Sequence, residues 1–322
     1  MLRKLIVPGL ALAVTALAAA PASAHPGNGH GHGAPAGGQS TTESVQLPST
    51  PQAGDTYFAA TLLGKNEVPA PGAKVGDKNG IAVAVFRIHG NQMEYAIRWA
   101  GTAAPSAFHI HQGVKGKNGD VKIPFFGAAL PSTLSAVKGV VKVDDKGLLN
   151  GIKRNPKNWY ANLHTSEFPG GAVRAQLQRI RPVNLDSVLA NGSRSTLTAI
   201  ADGRQEVPAP GTKVGDKNGK AVWLVWVKGT KVHFATVWKN IAQPTLAHIH
   251  KAPKGKNGPV VVDFLAAPSG LPAGINGIAG TGKASSSVAK GIKNNPKNWY
   301  TNLHTSEFPG GAVRGQLHGG GW

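Results

Sequence analysis

The sequence Asn-Leu-His-Thr-Ser-Glu-Phe-Pro-Gly-Gly-Ala-Val-Arg occupies residues 162–174 and returns without a change at residues 302–314. Upstream of it, the stretch Glu67–Gly72 returns as Glu206–Gly211 at nearly the same distance. A period of about 140 residues is too long for a solenoid and matches the size of a whole domain. The chain is therefore predicted to contain two copies of one domain.

The repeats place the two domains at residues 55–178 and 195–318, joined by a linker at 179–194 and followed by a tail at 319–322. Each domain contains about seven short apolar runs, separated by turns rich in Gly, Pro and Asn. Short strands at such regular spacing are typical of an all-β fold, either an antiparallel sandwich or a flattened barrel. In the first domain the predicted strands are Tyr57–Leu63, Ile81–Ile88, Met93–Trp99, Ala107–His111, Gly139–Val143, Trp159–His164 and Ala172–Leu177.

The run Met93–Trp99 shows the alternation most clearly. Its odd-numbered residues are large and apolar, whereas Glu94 and Arg98 lie between them. Because successive side chains of a strand point to opposite faces, this pattern predicts a strand with one face in the core. Helix is expected only as a short turn at Lys153–Asn158, which Pro156 limits.

The first 24 residues have the features of a secretory signal. Arg3 and Lys4 precede an apolar run, and Ala22-Ser23-Ala24 gives a small-residue cleavage site before His25. We predict cleavage near Ala24-His25, a secreted extracellular protein, and no membrane span in the mature chain. Residues 25–54 are rich in His, Gly and Pro and are predicted to be disordered, serving either as a passive linker or as a loose metal-scavenging tail.

The chain has 35 basic and 15 acidic residues and no cysteine. Removal of the signal takes away two basic residues and leaves 33 against 15, a net charge of about +18. Such a charge favours anionic cell-wall or matrix polymers as partners, although an ordinary soluble protein with many surface lysines fits it as well. No nucleic-acid-binding motif accompanies the charge. The lack of cysteine excludes disulfides and thiolate chemistry.

Three histidines recur in both repeats, and they are the candidate metal ligands. His109 and His111 flank Ile110 in a predicted strand, so both imidazoles point to one face. The third, His164, ends another predicted strand. The second repeat carries the same set as His248, His250 and His304.

Three neutral imidazoles with an open position form a coordination set for copper or zinc. The alternative is that these histidines only make local hydrogen bonds, for example to the turn Gly116–Gly119. No nucleophile elbow, Walker loop or dinucleotide fingerprint is present, so a binding or structural role is favoured over an enzyme. The Gly-Lys-Asn-Gly turn is followed by no helix, and we interpret it as a hairpin turn rather than a phosphate loop.

Two further pairs of repeated residues could belong to the site. Arg174 and Arg314 could attract an anion toward the histidines, or they could be surface or ion-pair arginines with a structural role. Glu67 and Glu206 precede Val-Pro and could accept a hydrogen bond from a metal-bound histidine, or they could cap a turn.

The motifs in this order resemble the CHRD (chordin) domain. The resemblance covers both repeats and implies two tandem CHRD domains of the kind found in secreted proteins and in an extracellular growth-factor antagonist. The residues that carry it are Glu67–Pro69, His109–His111, Gly116–Gly119 and Asn162–Leu177, and in the second copy Glu206–Pro208, His248–His250, Gly255–Gly258 and Asn302–Leu317.

A more distant likeness is to copper/zinc superoxide dismutase, which also has a His-x-His strand and a later strand that ends in histidine. It implies Greek-key-like β-sandwich domains, with the repeated histidines in the place of copper ligands and Arg174 and Arg314 in the place of the anion-steering arginine. This sequence has no repeated fourth histidine, no zinc loop and no cysteine pair. We therefore expect an extracellular binding or structural protein, with a copper-dependent oxidoreductase and a polyanion binder at the cell surface as the alternatives.

Overall fold

The computed structural model describes residues 50–191 and 197–320. The predicted signal, most of the histidine-rich segment and part of the predicted linker lie outside the described residues. Within those ranges, no helix is both long enough and apolar enough to cross a membrane.

The first repeat folds into nine strands and one α-helix within residues 50–180. In chain order they are β1 (Thr56–Leu63), β2 (Ile81–His89), β3 (Gln92–Ala100), β4 (Pro105–Gln112), β5 (Val121–Phe126), β6 (Leu134–Lys142), α1 (Lys146–Arg154), β7 (Trp159–Thr165), β8 (Val173–Gln176) and β9 (Gln178–Ile180).

A short helix, α2 (Asp186–Ala190), follows the first repeat, and the second repeat has the same element order within residues 197–320. Its elements are β10 (Leu197–Asp202), β11 (Lys220–Lys228), β12 (Lys231–Lys239), β13 (Pro244–Lys251), β14 (Val260–Ala266), β15 (Ile275–Lys283), α3 (Ser286–Asn294), β16 (Trp299–Thr305), β17 (Val313–Gln316) and β18 (His318–Gly319).

Each repeat is a sandwich of two antiparallel sheets. In the first repeat one sheet has the order β6-β3-β2-β1-β9 and the other has the order β5-β4-β7-β8. The chain crosses from one sheet to the other after β3, β5, β6 and β8, which gives a Greek-key-like path. The predicted all-β fold, with two tandem antiparallel sandwiches, is confirmed.

The core of each sandwich lies between its two sheets. Tyr95 is fully buried, and its ring lies 4.5 Å from that of Phe125 and 6.0 Å from that of Phe108, measured between centroids. The other odd-numbered residues of β3 are buried with it, as their alternation predicted. On the opposite face Glu94 is also buried, and its carboxylate lies 3.0 Å from the ammonium of Lys138.

The two sandwiches share one continuous sheet. β6 pairs with β15 in antiparallel register, from Leu134 opposite Gly280 to Gly139 opposite Ile275. The α2 helix crosses this junction and buries Leu189 against alanines of β6, β12 and β15. The junction therefore unites two five-stranded sheets into one of ten strands.

The helices α1 and α3 extend beyond what the sequence predicted. The Asp145 carboxylate accepts a hydrogen bond of 2.9 Å from the backbone N–H of Leu148 and so caps α1. The helix buries Leu149 and Ile152 and ends at Arg154. The expected turn at Lys153–Asn158 therefore contains the last residues of α1, followed by a 3₁₀ turn at Pro156–Asn158.

Candidate metal centre

Strands β4 and β7 lie side by side and bring the three histidines of the first repeat together. The register places His109 opposite Asn162 and places His164 opposite Ala107, so both histidines occupy one face of the sheet. The ring centroids of His109 and His164 are 5.1 Å apart, and those of His109 and His111 are 5.7 Å apart. One nitrogen from each ring lies within 4.8 Å of the other two. The predicted triad is therefore a real cluster.

The second repeat builds the same cluster from β13 and β16. His248, His250 and His304 have ring centroids 5.0 to 6.1 Å apart, and their nitrogens meet the same 4.8 Å limit. All three side chains are buried. The two clusters arise from matching registers, because His248 lies opposite Asn302 as His109 lies opposite Asn162.

Backbone carbonyls fix the orientation of two histidines in each cluster. The Nδ1 atom of His111 donates to the carbonyl of Gly119 at 2.9 Å, and Nδ1 of His164 donates to Pro169 at 2.9 Å. A neutral imidazole that donates through Nδ1 keeps a lone pair on Nε2. In the second repeat, His250 donates to Gly258 at 3.0 Å and His304 donates to Pro309 at 2.9 Å. This hydrogen bonding leaves each Nε2 able to bind a metal.

The Nε2 atoms of His111 and His250 are buried, and neither accepts a hydrogen bond from the described residues. A buried polar atom without a partner costs roughly 1–3 kcal/mol, so such atoms usually have a function or an additional partner. Each belongs to the group of nitrogens that lie within 4.8 Å of one another. The residues therefore fit a bound cation.

Burial keeps His111 and the three histidines of the second cluster neutral. Desolvation lowers the pKa of His111 to about 4, with smaller contributions from His164 and Arg174. Desolvation also lowers the pKa of His248 to about 3, and it lowers the pKa values of His250 and His304. Because a metal binds the unprotonated nitrogen, the cluster is ready to bind at neutral pH without losing a proton to solvent.

Arg174 is buried, and its groups are engaged. Its guanidinium carbon lies 3.3 Å from the ring centroid of Tyr160, and its Nη1 donates to the Asn118 side-chain oxygen at 2.8 Å. Its Nη2 donates to the carbonyl of Lys117. Arg314 repeats this arrangement on Tyr300, Asn257 and Lys256. The contacts favour the structural alternative, because the guanidinium fixes the loop that supplies the Gly119 carbonyl.

Tyr160 connects the arginine with the histidines. Its ring stacks on that of His111, with centroids 4.7 Å apart and planes within 6° of parallel. Tyr300 and His250 stack in the same way in the second repeat. Strand alternation predicts Tyr160 on the same face as His164. Its stacking on His111 could not be predicted, because it depends on the pairing of β4 with β7.

Glu67 lies beside Asn162. The Asn162 amide donates to the carboxyl group at 3.5 Å, and desolvation raises the pKa of Glu67 to about 8. Glu206 and Asn302 repeat the contact at 3.4 Å, and the pKa of Glu206 is also raised to about 8. Asn162 is the cross-strand neighbour of His109, so the carboxyl group of Glu67 contacts a residue that adjoins the histidine cluster.

The sequence profile of the CHRD domain matches residues 58–177 and 197–317. The chain belongs to the CHRD family. No curated protein and no solved structure matches it significantly.

The two CHRD domains differ at one contact of the histidine clusters. In the second domain the Asp263 carboxylate lies 3.3 Å from Nε2 of His248. In the first domain Pro124 takes the corresponding position opposite His109. This difference was not predicted, because it lies in the segment where the two copies have diverged most.

Proposed function

We propose that each CHRD domain is an extracellular metal-binding module that holds one copper or zinc ion through its three histidines. The observation that carries the proposal is the buried Nε2 of His111, which accepts no hydrogen bond from the residues that the structure describes and is matched by that of His250. Both domains have this buried lone pair, and in both it belongs to a cluster of histidine nitrogens. A metal ion that binds all three rings accounts for it.

The ligand type supports copper or zinc. Imidazole nitrogen is a preferred ligand of both ions, whereas calcium and magnesium prefer oxygen. The carbonyls that accept from Nδ1 of His111 and His164 orient the rings, as outer hydrogen bonds do in known metal centres. Three nitrogens leave a coordination position for water or another ligand.

The extracellular setting rests on the signal-like residues 1–24 and on the membership in the CHRD family. The lack of cysteine fits this setting as well, because no thiol is exposed to oxidation.

Metal content tests the proposal directly. The mature protein is prepared with His25, His30 and His32 replaced by alanine, so that the N-terminal segment contributes no ligand. We expect two equivalents of copper or zinc per chain. The variant H111A/H164A should bind one equivalent, and H250A/H304A added to it should bind none. His318 lies outside both clusters, so H318A is the matched control and should retain both equivalents. Full loading of the fourfold variant would contradict the proposal.

The same preparation tests the alternative of a copper oxidoreductase, which needs the same histidines. If the copper-loaded protein accelerates superoxide decay and the triad variants do not, the enzyme is favoured. Copper binding at both sites without acceleration supports a binding module.

A further inference from the structure

The outer face of the ten-stranded sheet carries three lysines in direct register within the second domain. Lys228 of β11 lies opposite Lys231 of β12, and Lys231 lies opposite Lys283 of β15. All three are exposed, and none of them forms an ion pair with a residue that the structure describes. We call Lys228, Lys231 and Lys283 the lysine row.

Like charges directly opposite each other in neighbouring strands destabilise a sheet. The first domain avoids this cost at the corresponding positions. There His89 contacts the Asp55 carboxylate at 2.7 Å, Gln92 is uncharged, and Lys142 pairs with Asp144 at 2.9 Å. At these three positions the second domain therefore has three lysines, whereas the first domain has one uncharged residue and two residues that contact a carboxylate.

An aromatic pair adjoins the lysine row. Trp226 and His233 lie opposite each other, two residues along their strands from Lys228 and Lys231 and on the same face of the sheet. Their rings stack with centroids 5.3 Å apart. Nδ1 of His233 is 2.8 Å from the Thr281 hydroxyl. Both rings are partly exposed. The counterparts in the first domain are the ion-paired Arg87 and Glu94, so the aromatic surface also belongs to the second domain alone.

We infer that the lysine row and Trp226 form a binding site for an anionic polysaccharide. Neighbouring strands are about 4.8 Å apart. The spacing between neighbouring lysines of the row is therefore close to the length of one sugar residue in a polysaccharide. The carboxylates of a uronic-acid polymer match such a row, and the C–H face of a sugar ring packs against an indole. The net positive charge of the chain attracts such polymers over a longer distance. This site lies on the sheet that does not carry the histidines, and it is independent of metal binding.

The test measures binding of polygalacturonate to the full mature chain by calorimetry at several NaCl concentrations. We expect K228Q/K231Q/K283Q to weaken binding by about tenfold or more and to flatten its salt dependence. The triple variant K290Q/K293Q/K297Q removes the same charge from exposed lysines of the same domain and should change the affinity by less than about twofold. W226A should weaken binding by about fivefold without a change in the salt dependence, since it removes stacking and no charge.

Equal losses from the two lysine variants would overturn the proposal, because the affinity would then follow net charge alone. Equal affinity for fully methyl-esterified polygalacturonate would overturn the role of the lysines. Binding of an oligothymidylate or of phosphatidylglycerol vesicles that matches polygalacturonate at equal charge concentration would overturn the assignment to a saccharide. Circular dichroism and thermal melts establish that each variant is folded.

Discussion

The Nδ1 atom of His248 lies 3.2 Å from the Nε2 atom of His304. Nδ1 of His304 donates to the carbonyl of Pro309, so Nε2 of a neutral His304 carries a lone pair. In the metal-free protein, His248 must therefore donate its Nδ1 proton to His304, since two lone pairs facing each other would repel. A metal that replaces this hydrogen bond requires the proton of His248 on Nε2, where the Asp263 carboxylate can accept it at 3.3 Å.

The first prediction is a tautomer change confined to one residue of this cluster. We expect His248 to carry its proton on Nδ1 without metal and on Nε2 with zinc. His250 and His304 should carry theirs on Nδ1 in both states, because their carbonyl partners do not change. Long-range ¹⁵N–¹H correlation spectra distinguish the two tautomers. An Nε2-protonated His304 in the metal-free protein would contradict the geometry.

The second prediction concerns the difference between the two sites. With a metal bound, Asp263 can accept a hydrogen bond from Nε2 of His248, whereas Pro124 offers His109 no side-chain acceptor. Carboxylates hydrogen-bonded to metal-bound histidines change metal affinity by about 10- to 100-fold. We expect the second domain to bind zinc more tightly, and D263N to weaken that site by at least about tenfold.

The matched measurement uses competition with a chromophoric chelator in the H111A/H164A background, where only the second site remains. D120N is the control, because Asp120 lies in the first domain and its carboxylate is 3.5 Å from the ammonium of the exposed Lys122. Equal affinities of the two intact sites would refute this account of Asp263.

The third prediction separates the two alternatives for Arg174. Its guanidinium holds carbonyl and amide oxygens of the loop Gly113–Gly119 and stacks on Tyr160. R174M should lower the free energy of unfolding by roughly 2–3 kcal/mol, because buried acceptors and the cation–π contact lose their partner. R174K should recover only part of this loss, since an ammonium cannot reproduce the planar fork. Urea denaturation measures both; an unchanged stability of R174M would favour anion steering.

The fourth prediction is a loss of stability in acid that depends on the buried histidines. The pKa of His111 is about 4 in the folded protein, below its ordinary value of about 6.5. Between these values the unfolded chain binds a proton that the folded protein does not, so stability falls as the pH falls from about 6.5 toward 4. H111N/H250N should reduce this slope in metal-free protein, whereas H318N should not. Urea midpoints at pH 7, 6, 5 and 4 provide the comparison.

The fifth prediction has the opposite sign and concerns Glu67 and Glu206. Their folded pKa values of about 8 lie above the ordinary value near 4.5, so their contribution to stability is present below pH 4.5 and is lost as the pH rises toward 8. Glutamine resembles the protonated form. E67Q/E206Q should therefore be more stable than the parent at pH 8, by up to roughly 4 kcal/mol per site, and equally stable at pH 4.

The control for this pair is E167Q/E307Q. Glu167 and Glu307 pair with lysines on the surface, with more than half of each side chain exposed, and neither should alter the pH dependence. A parent protein that gains stability between pH 5 and pH 8 through Glu67 would show that burial does not protonate this carboxyl group.

Strand alternation and duplication were enough to predict the all-β fold and to select the six histidines. Alternation assigns His109 and His111 to one face whatever the neighbouring strand is. The third ligand is harder to select, because its distance depends on how β4 pairs with β7. Strand periodicity alone does not identify this third ligand. The recurrence of His164 as His304 in the second repeat identified it here.

Other features were not predicted for identifiable physical reasons. Strand β5 contains Pro124, which usually indicates a break, but among the described strands β5 pairs with β4 alone, and an edge strand tolerates a proline. Helix α1 contains Gly147 and Gly151, which lower its intrinsic propensity. A Cβ atom at Gly151 would lie 3.1 Å from the Trp159 ring, so the ring would have to shift to admit a larger residue. Tertiary contacts, which local sequence does not report, stabilise both elements.

The pairing of β6 with β15 has a consequence for the origin of the molecule. The strand that joins the two halves is the corresponding edge strand in each, and antiparallel pairing of like with like is the arrangement of a two-fold symmetric homodimer. A single-domain ancestor with this edge would assemble only above its dissociation constant and would otherwise leave backbone groups open to unrelated strands. Within one chain the same pairing is intramolecular, so it does not depend on the protein concentration.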